Sequence, residues 1–401
     1  MEKLLYITDY IEGSPVIASV RYEGIMRNLI NHFEITVVTN SNYNNYKSEF
    51  GKKTIFFKTF ERSLSQLSQS KIENKNNILK KCLLYLLKNI KKIWKSVKYN
   101  KEIFCFINRH EIRNIMNVVE NEKIKKVFLT TPDIYGIYIV DKIVKKYNVE
   151  VITEVRDIID NSLLFENRKI GVKAEKLLLK NTNKLIVLSD GIYKHYSKLH
   201  SNIELIMNGY NDEIEDIKPN LSNKNPNTIV FSHIGSLYKG RAVEEFINAL
   251  EQVAKEDSKK KYILKFIGFI DGETLNKINN TKVSRLTIEI VGTVDNYTAN
   301  NYMANSDILV ILTHIKGSEY AIPGKTFDYI GMEKPIIAVT TDKPLINIID
   351  KKYGICVKHD TNEIINGLKL ITTKKFDYSD KNKFSRRVQV NKIISFIKKD
   401  G

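Results

Sequence analysis

Ile311-Leu312-Thr313-His314-Ile315-Lys316-Gly317-Ser318-Glu319-Tyr320-Ala321-Ile322-Pro323-Gly324-Lys325-Thr326-Phe327-Asp328-Tyr329-Ile330-Gly331-Met332-Glu333-Lys334-Pro335-Ile336-Ile337-Ala338-Val339 is the stretch that decides the fold. The apolar run Ile308 to Leu312 reads as a buried strand, and a polar loop follows it. Pro323 and Gly324 mark a helix start, Lys325 to Met332 form the helix body, and Pro335 opens a second buried strand to Val339. In a parallel sheet such a helix points its amino end at the crevice above the strands' carboxyl ends, where a diphosphate can sit. Glu319, Lys325 and Asp328 surround that position. A lysine there neutralises phosphate oxygens, and a carboxylate accepts hydrogen bonds from sugar or ribose hydroxyls. The bland alternative, a solvated helix start in any α/β protein, stays open on the local pattern alone. Gly324-Lys325-Thr326 also suggests a phosphate-binding P-loop, but the glycine required five residues earlier is Glu319, so that motif is excluded.

Strand and helix patterns alternate outward from this stretch in both directions. At 401 residues the chain has room for two α/β domains, each with its own core. It contains no apolar run near the roughly 20 residues that span a bilayer. The opening Met-Glu-Lys-Leu-Leu-Tyr-Ile-Thr-Asp reads as a strand rather than a signal peptide, so a cytoplasmic location is expected. Cys82, Cys105 and Cys356 lack metal spacing and read as buried free thiols.

The net charge of +18 is uneven: residues 51–126 hold 19 Lys/Arg against 6 Asp/Glu. Within that segment, Ile78 to Lys98 places Leu79, Cys82, Leu83, Leu86, Leu87, Ile90, Trp94 and Val97 on one apolar helical stripe. Seven lysines and no acid accompany it, among them Lys80, Lys88, Lys91, Lys92 and Lys95. Such a helix either lies on an anionic membrane surface or packs on its own domain. Nucleic acid is not expected as a partner, because no helix-turn-helix, zinc or base-stacking motif accompanies the charge.

From the start, Lys3 to Thr8 reads as a strand, Gly13-Ser14-Pro15 as a turn, and Ala18 to His32 as a helix with Arg21 and Arg27 toward the loop or solvent. Glu34 to Thr39, Val127 to Thr131, Glu150 to Val155 and Lys184 to Ser189 continue as strands. Arg156-Asp157, at the carboxyl end of one of them, suits a cleft, or the two pair with each other. Asn208-Gly209 and the polar segment to Asn227 form a linker. A second unit begins at Thr228, with Gly235-Ser236-Leu237-Tyr238-Lys239-Gly240-Arg241 after its first strand, where Lys239 and Arg241 can clamp a diphosphate. The last amphipathic helix is expected over about Asp380 to Lys399.

Taken in order, Arg156-Asp157, Ile206-Met207-Asn208-Gly209-Tyr210, Ile234-Gly235-Ser236-Leu237 with Lys239-Gly240, Ile290-Val291-Gly292-Thr293-Val294 and Gly324-Lys325-Thr326-Phe327-Asp328-Tyr329 through Lys334-Pro335 resemble the GT-B glycosyltransferases. Within them the chain is similar to the GT4-type retaining family of bacterial polysaccharide assembly. The resemblance implies two Rossmann-like doubly wound domains facing a cleft. An acceptor-side domain would cover 1–205 and a nucleotide-sugar domain 206–385, with the final helix 386–401 packing back on the first. It further implies Lys239, Arg241 and Glu319 as catalytic groups and Gly13, Gly235, Val294, Gly324, Lys325 and Asp328 as donor-binding positions. Arg156 and Asp157 would face the acceptor. The donor would be a nucleotide sugar, UDP-linked rather than GDP-linked, with no metal or other cofactor. The acceptor would be a lipid-linked or oligosaccharide glycan at the inner face of the membrane. The family's first motif glutamate falls on Tyr320 with Glu319 beside it, and Ser236 stands where the family carries an arginine. Two rivals remain: a sugar-nucleotide epimerase of the same build, and a non-catalytic membrane- or glycan-binding protein.

Overall fold

The computed structural model describes residues 1–14, 17–41, 46–59, 97–131, 133–161, 168–220, 225–238, 240–317 and 319–399. Two compact units divide the chain. The first takes Met1–Val187, His195–Glu204 and Ile394–Gly401, and the second takes Leu188–Lys194 and Leu205–Ile393.

The first unit is built on β1 (Glu2–Thr8), β2 (Phe33–Asn40), β3 (Lys53–Phe57), β4 (Lys126–Thr130), β5 (Glu150–Val155), β6 (Lys184–Val187) and β7 (Ile203–Leu205), in the order β3-β2-β1-β4-β5-β6-β7. β1 pairs in parallel with β2 on one side and β4 on the other, so the strand order reverses between β1 and β4. In open α/β sheets ligands bind above that reversal, at the strands' carboxyl ends. Leu4, Leu5, Ile7, Val127 and Phe128 are fully buried, as expected of central strands covered on both faces.

The second unit repeats the plan with β8 (Thr228–Ile234), β9 (Lys261–Ile267), β10 (Leu286–Gly292), β11 (Ile308–Leu312), β12 (Ile336–Val339) and β13 (Gly354–Val357), ordered β10-β9-β8-β11-β12-β13 with every pair parallel. Its reversal lies between β8 and β11. Side chains of β11 alternate between two cores. Ile308, Val310 and Leu312 join Phe246, Leu250 and Phe266, whereas Leu309 and Ile311 join Phe327, Tyr329 and Ile330. The helix Val243–Glu256 turns one acid inward to cap a strand start: the backbone N–H groups of Ser284 and Leu286 donate to Glu251 Oε1 and Oε2, each at 2.9 Å.

Several details depart from the sequence reading. β3 and the helices Lys101–Ile107 and Arg109–Asn121 were not foreseen, because short lysine-flanked runs give little periodicity. Arg21 does not face solvent. On the helix Ile17–Leu29 it is buried against β5, and its guanidinium donates to both oxygens of Glu154 at 3.1 and 2.5 Å. Burial pushes the Glu154 carboxyl up, but Arg21 outweighs it and the acid titrates below its ordinary range. The expected single last helix is broken. A 3-10 turn spans Lys381–Phe384, and Ser385 then accepts from the Val388 amide at 3.2 Å to start the helix Arg386–Lys398. Near that helix's end, buried Lys184 donates to the carbonyls of Ile397 (3.3 Å) and Lys399 and pairs with Glu150 at 2.6 Å. Cys105 and Cys356 are free thiols but only half-buried, and Cys82 lies outside the described residues.

Candidate active site

The strand reversal of the second unit collects nitrogen atoms. Gly235 leaves β8 with φ of +107°, and a Cβ added there would lie 3.1 Å from Lys325 Nζ, so both backbone and space call for glycine. Lys325 begins the helix Lys325–Gly331, and its Nζ sits 3.0 Å from His233 Nε2. His233 is fully buried in β8, with Nδ1 3.1 Å from the Val310 carbonyl of β11. A carbonyl only accepts, so Nδ1 carries the hydrogen toward Val310 and Nε2 accepts from the lysine, with the Ser236 backbone a further partner of the ring.

Arg241 closes the loop. Gly240 precedes it with φ of +88°, and the Arg241 backbone bridges to His314 just beyond β11. Arg241 Nε is buried without a hydrogen-bond partner. Among the described residues, no carboxylate pairs with Lys325 or Arg241. Burial first, and then the Arg241 charge, hold the half-buried Lys325 amine well below the usual lysine range. Burial and the charges of Lys325 and Arg241 hold His233 well below the usual histidine range. This group has donors in excess of acceptors, so it suits a ligand rich in anionic oxygen.

The other candidate residues are more dispersed. Asp328, one turn along the same helix, is half-buried and pushed up to about 6 by burial, with Arg386 drawing it partly back. Glu319 is exposed and accepts from the Gly317 amide at 2.9 Å, which holds its carboxyl below the ordinary range. Gly324 is the N-cap of a helix only seven residues long, so the field at this site comes mainly from side-chain cations. Val294 packs at the edge of the core around Tyr329. Lys239 and the basic stretch with Lys80, Lys88, Lys91, Lys92, Trp94 and Lys95 lie outside the described residues.

In the first unit the strand reversal gathers acids. Asp9, just past β1, is buried and accepts from the Asp133 amide at 3.1 Å. Burial and then the Asp133 charge push the Asp9 carboxyl up to about 8, against the pull of Arg156. Arg156 Nε donates to the Thr131 carbonyl at 2.9 Å, and burial pushes the neighbouring Asp157 up despite the Arg156 charge. The Arg156–Asp157 pairing left open by the sequence is therefore not the arrangement found. Gly13, with φ of +73°, serves the turn after β1, where the Tyr46 hydroxyl lies against it. Elsewhere in this unit Asp160, Glu175 and His195 offer ligand atoms within 4.8 Å of one another. Tyr196 and His195 already engage Glu175 at 2.8 and 3.2 Å.

Sequence reasoning missed His233, His314, Asp9 and Asp133. Asp9 directly follows the end of β1 and Asp133 caps the helix that begins just after β4, a signal that was available. His233 carries no such signal, because it sits mid-pattern in an apolar strand and its partner is 92 residues away.

Against known proteins, a family-model match falls within the second unit. Residues 228–373 match the family model for glycosyl transferases group 1. No curated protein matches the chain by sequence. Among solved structures, sucrose-phosphate synthase from Thermosynechococcus elongatus aligns at TM-score 0.67 and 10% identity, covering 98% of each chain. HepE of Anabaena in complex with UDP and glucose aligns at TM-score 0.63 and 12% identity, also over 98% of each chain. A UDP-N-acetylglucosamine 2-epimerase from Listeria monocytogenes, itself described as putative, aligns at TM-score 0.57 and 12% identity over 99% of this chain and 95% of its own. Two Rossmann-like domains in series, the GT-B build, are thus the fold of the chain.

Proposed function

We propose that the chain transfers a sugar from a nucleotide-diphosphate donor to a hydroxyl of a lipid-linked glycan. The observation that carries this reading is Lys325 beside Gly235, within electrostatic reach of Arg241 and without a carboxylate partner among the described residues. In the reaction the bond from the sugar's anomeric carbon to the diphosphate oxygen breaks and its electron pair leaves on the diphosphate. The acceptor oxygen bonds to that carbon and passes its proton to the oxygen of the leaving diphosphate. With the donor bound, cations at Lys325 and Arg241, together with Lys239 of the same basic loop in sequence, would stabilise the charge building on the leaving group in place of a metal. Asp328 would hold the ribose and Glu319 a donor-sugar hydroxyl, with Arg156 and Asp157 on the acceptor side. UDP is the favoured carrier, supported by HepE, which binds UDP and glucose. Retention of anomeric configuration follows the GT4 resemblance. The lysine-rich stretch over 78–98 would bring the chain to anionic lipid on the inner face of the membrane.

A thermal-shift panel of UDP, GDP and CMP tests the donor reading, since a ligand at a hundredfold its dissociation constant stabilises by about 2.7 kcal/mol. Stabilisation by UDP, followed by sugar transfer to a lipid-diphosphate acceptor in vitro, is the expected result. Activity unchanged in both Lys325→Ala and Arg241→Ala would refute the assignment. Likeness to the Listeria protein keeps epimerisation as a second reading, identified by release of free epimerised sugar without acceptor.

A further inference from the structure

His233 and Lys325 form a unit whose behaviour on ligand binding can be worked out from its hydrogen bonds. The imidazole is fully buried, its Nδ1 hydrogen is committed to Val310, and its Nε2 lone pair faces Lys325 Nζ at 3.0 Å. A neutral imidazole can fix the position of an ammonium but cannot neutralise it. The charged and titratable groups around the amine offer no neutralisation either. Arg241 faces it from the loop after β8, and His314 stands beside Gly240, whose added Cβ would lie 3.4 Å from His314 Nδ1. On the lysine's own helix, Asp328 is under the influence of Arg386, and the Tyr329 hydroxyl accepts from the Ile234 amide at 3.0 Å. Arg241 meanwhile keeps a buried Nε–H with no acceptor. With no ligand bound, then, Lys325 has every reason to shed its proton and Arg241 cannot.

We propose that His233 is a positioning residue for Lys325, and that a nucleoside diphosphate draws a proton from solvent onto this amine as it binds. This rests on the nucleotide-diphosphate reading above. The ligand supplies the negative charge that the site lacks. The amine takes up one proton and becomes an ammonium; one N–H continues to donate to His233 Nε2, and the other two turn to phosphate oxygens. No other bond changes. Because uptake and affinity are linked, UDP binds about tenfold more tightly for each pH unit lowered between the free and bound titration points of the lysine.

Isothermal titration calorimetry of UDP at about pH 8, in two buffers of different ionisation enthalpy, reads the proton count directly. UDP's own phosphates are fully ionised there and contribute nothing. The native chain should take up a measurable fraction of a proton, and no more than one, per UDP bound. Lys325→Arg, which cannot lose its charge, should bind UDP with uptake near zero. His233→Gln, which keeps an acceptor toward the lysine, should retain the uptake. His233→Leu, with its fold checked by circular dichroism, should weaken UDP binding about tenfold or more. Binding by the native chain without proton uptake, or equal uptake in Lys325→Arg, would overturn the inference and leave the nucleotide reading standing. Unchanged UDP affinity in His233→Leu would remove the positioning role. Failure of UDP to bind at all would sink the nucleotide reading and the inference together.

Discussion

Two inward basic side chains in this protein are set in opposite surroundings, and replacing each with methionine should give very different costs. Arg21 is held by Glu154 through a two-pronged contact at 3.1 and 2.5 Å, with both side chains almost entirely buried. Arg21→Met strands a buried carboxylate, and losing one partner of such a pair costs about 3–5 kcal/mol. For a unit of roughly 200 residues that lowers the melting temperature by about 6–20 °C. Lys325→Met removes one hydrogen bond to a neutral imidazole, worth about 1 kcal/mol, and at the same time relieves an amine held below its normal range. These effects oppose each other, so the second unit should melt within a few degrees of native. The first penalty also depends on pH. Glu154 titrates low in the folded chain, so its contribution is present above the ordinary glutamate value of about 4.3 and is lost as pH falls through the folded value. The cost of Arg21→Met is therefore largest near neutrality and shrinks in acid. Scanning calorimetry of both variants at about pH 7 and about pH 3 measures all of this. If Lys325→Met depressed its unit as far as Arg21→Met did, the amine would have to own an anionic partner, and the donor-rich description of the site would be wrong.

Gly235→Ala puts a Cβ 3.1 Å from Lys325 Nζ on a backbone at φ +107°, so stability should fall by about 1–3 kcal/mol and UDP binding weaken as the lysine is displaced; thermal shift with and without UDP reads both. Glu251→Ala removes the acceptor for the Ser284 and Leu286 amides and should cost about 2–4 kcal/mol by urea denaturation. Burial raises this acid, but those amides win and draw it down to about 2, so its stabilising effect should persist until pH falls well below the glutamate range. Asp9 has the reverse sign: raised to about 8, it favours folding below the ordinary aspartate value and loses that effect as pH rises through 8. Asp9→Asn should therefore melt higher than native at about pH 8, with the gap closing near pH 4; no change between the two pH values would show that Asp9 is not in the environment described.

Much of the architecture was legible because apolar runs such as Ile308–Leu312 and Ile336–Ile337-Ala338-Val339 are bounded by glycine, proline or polar turns. The same punctuation marked Gly235, Arg241 and Lys325 as neighbours of one crevice. Interactions that depend on distant chain positions were invisible: Arg21 meets Glu154 across 133 residues, and His233 meets Lys325 across 92. Periodicity also misjudged the last helix, since Phe384 fits the apolar stripe while the backbone at Ser385 is extended with ψ of 143°. Glu319 and Asp328 flank the lysine in sequence, but one turns to its own loop amide and the other comes under the influence of Arg386.

The grip of Lys184 on the last carbonyls bears on how the protein is handled. Cutting the chain back past Ile397 would strip this interior ammonium of both main-chain acceptors and leave Glu150 as its remaining counter-charge. A few trimmed residues would therefore weaken the first unit more than their number implies. An affinity handle or fluorescent fusion is better attached at the amino terminus, where Met1 is 74% exposed.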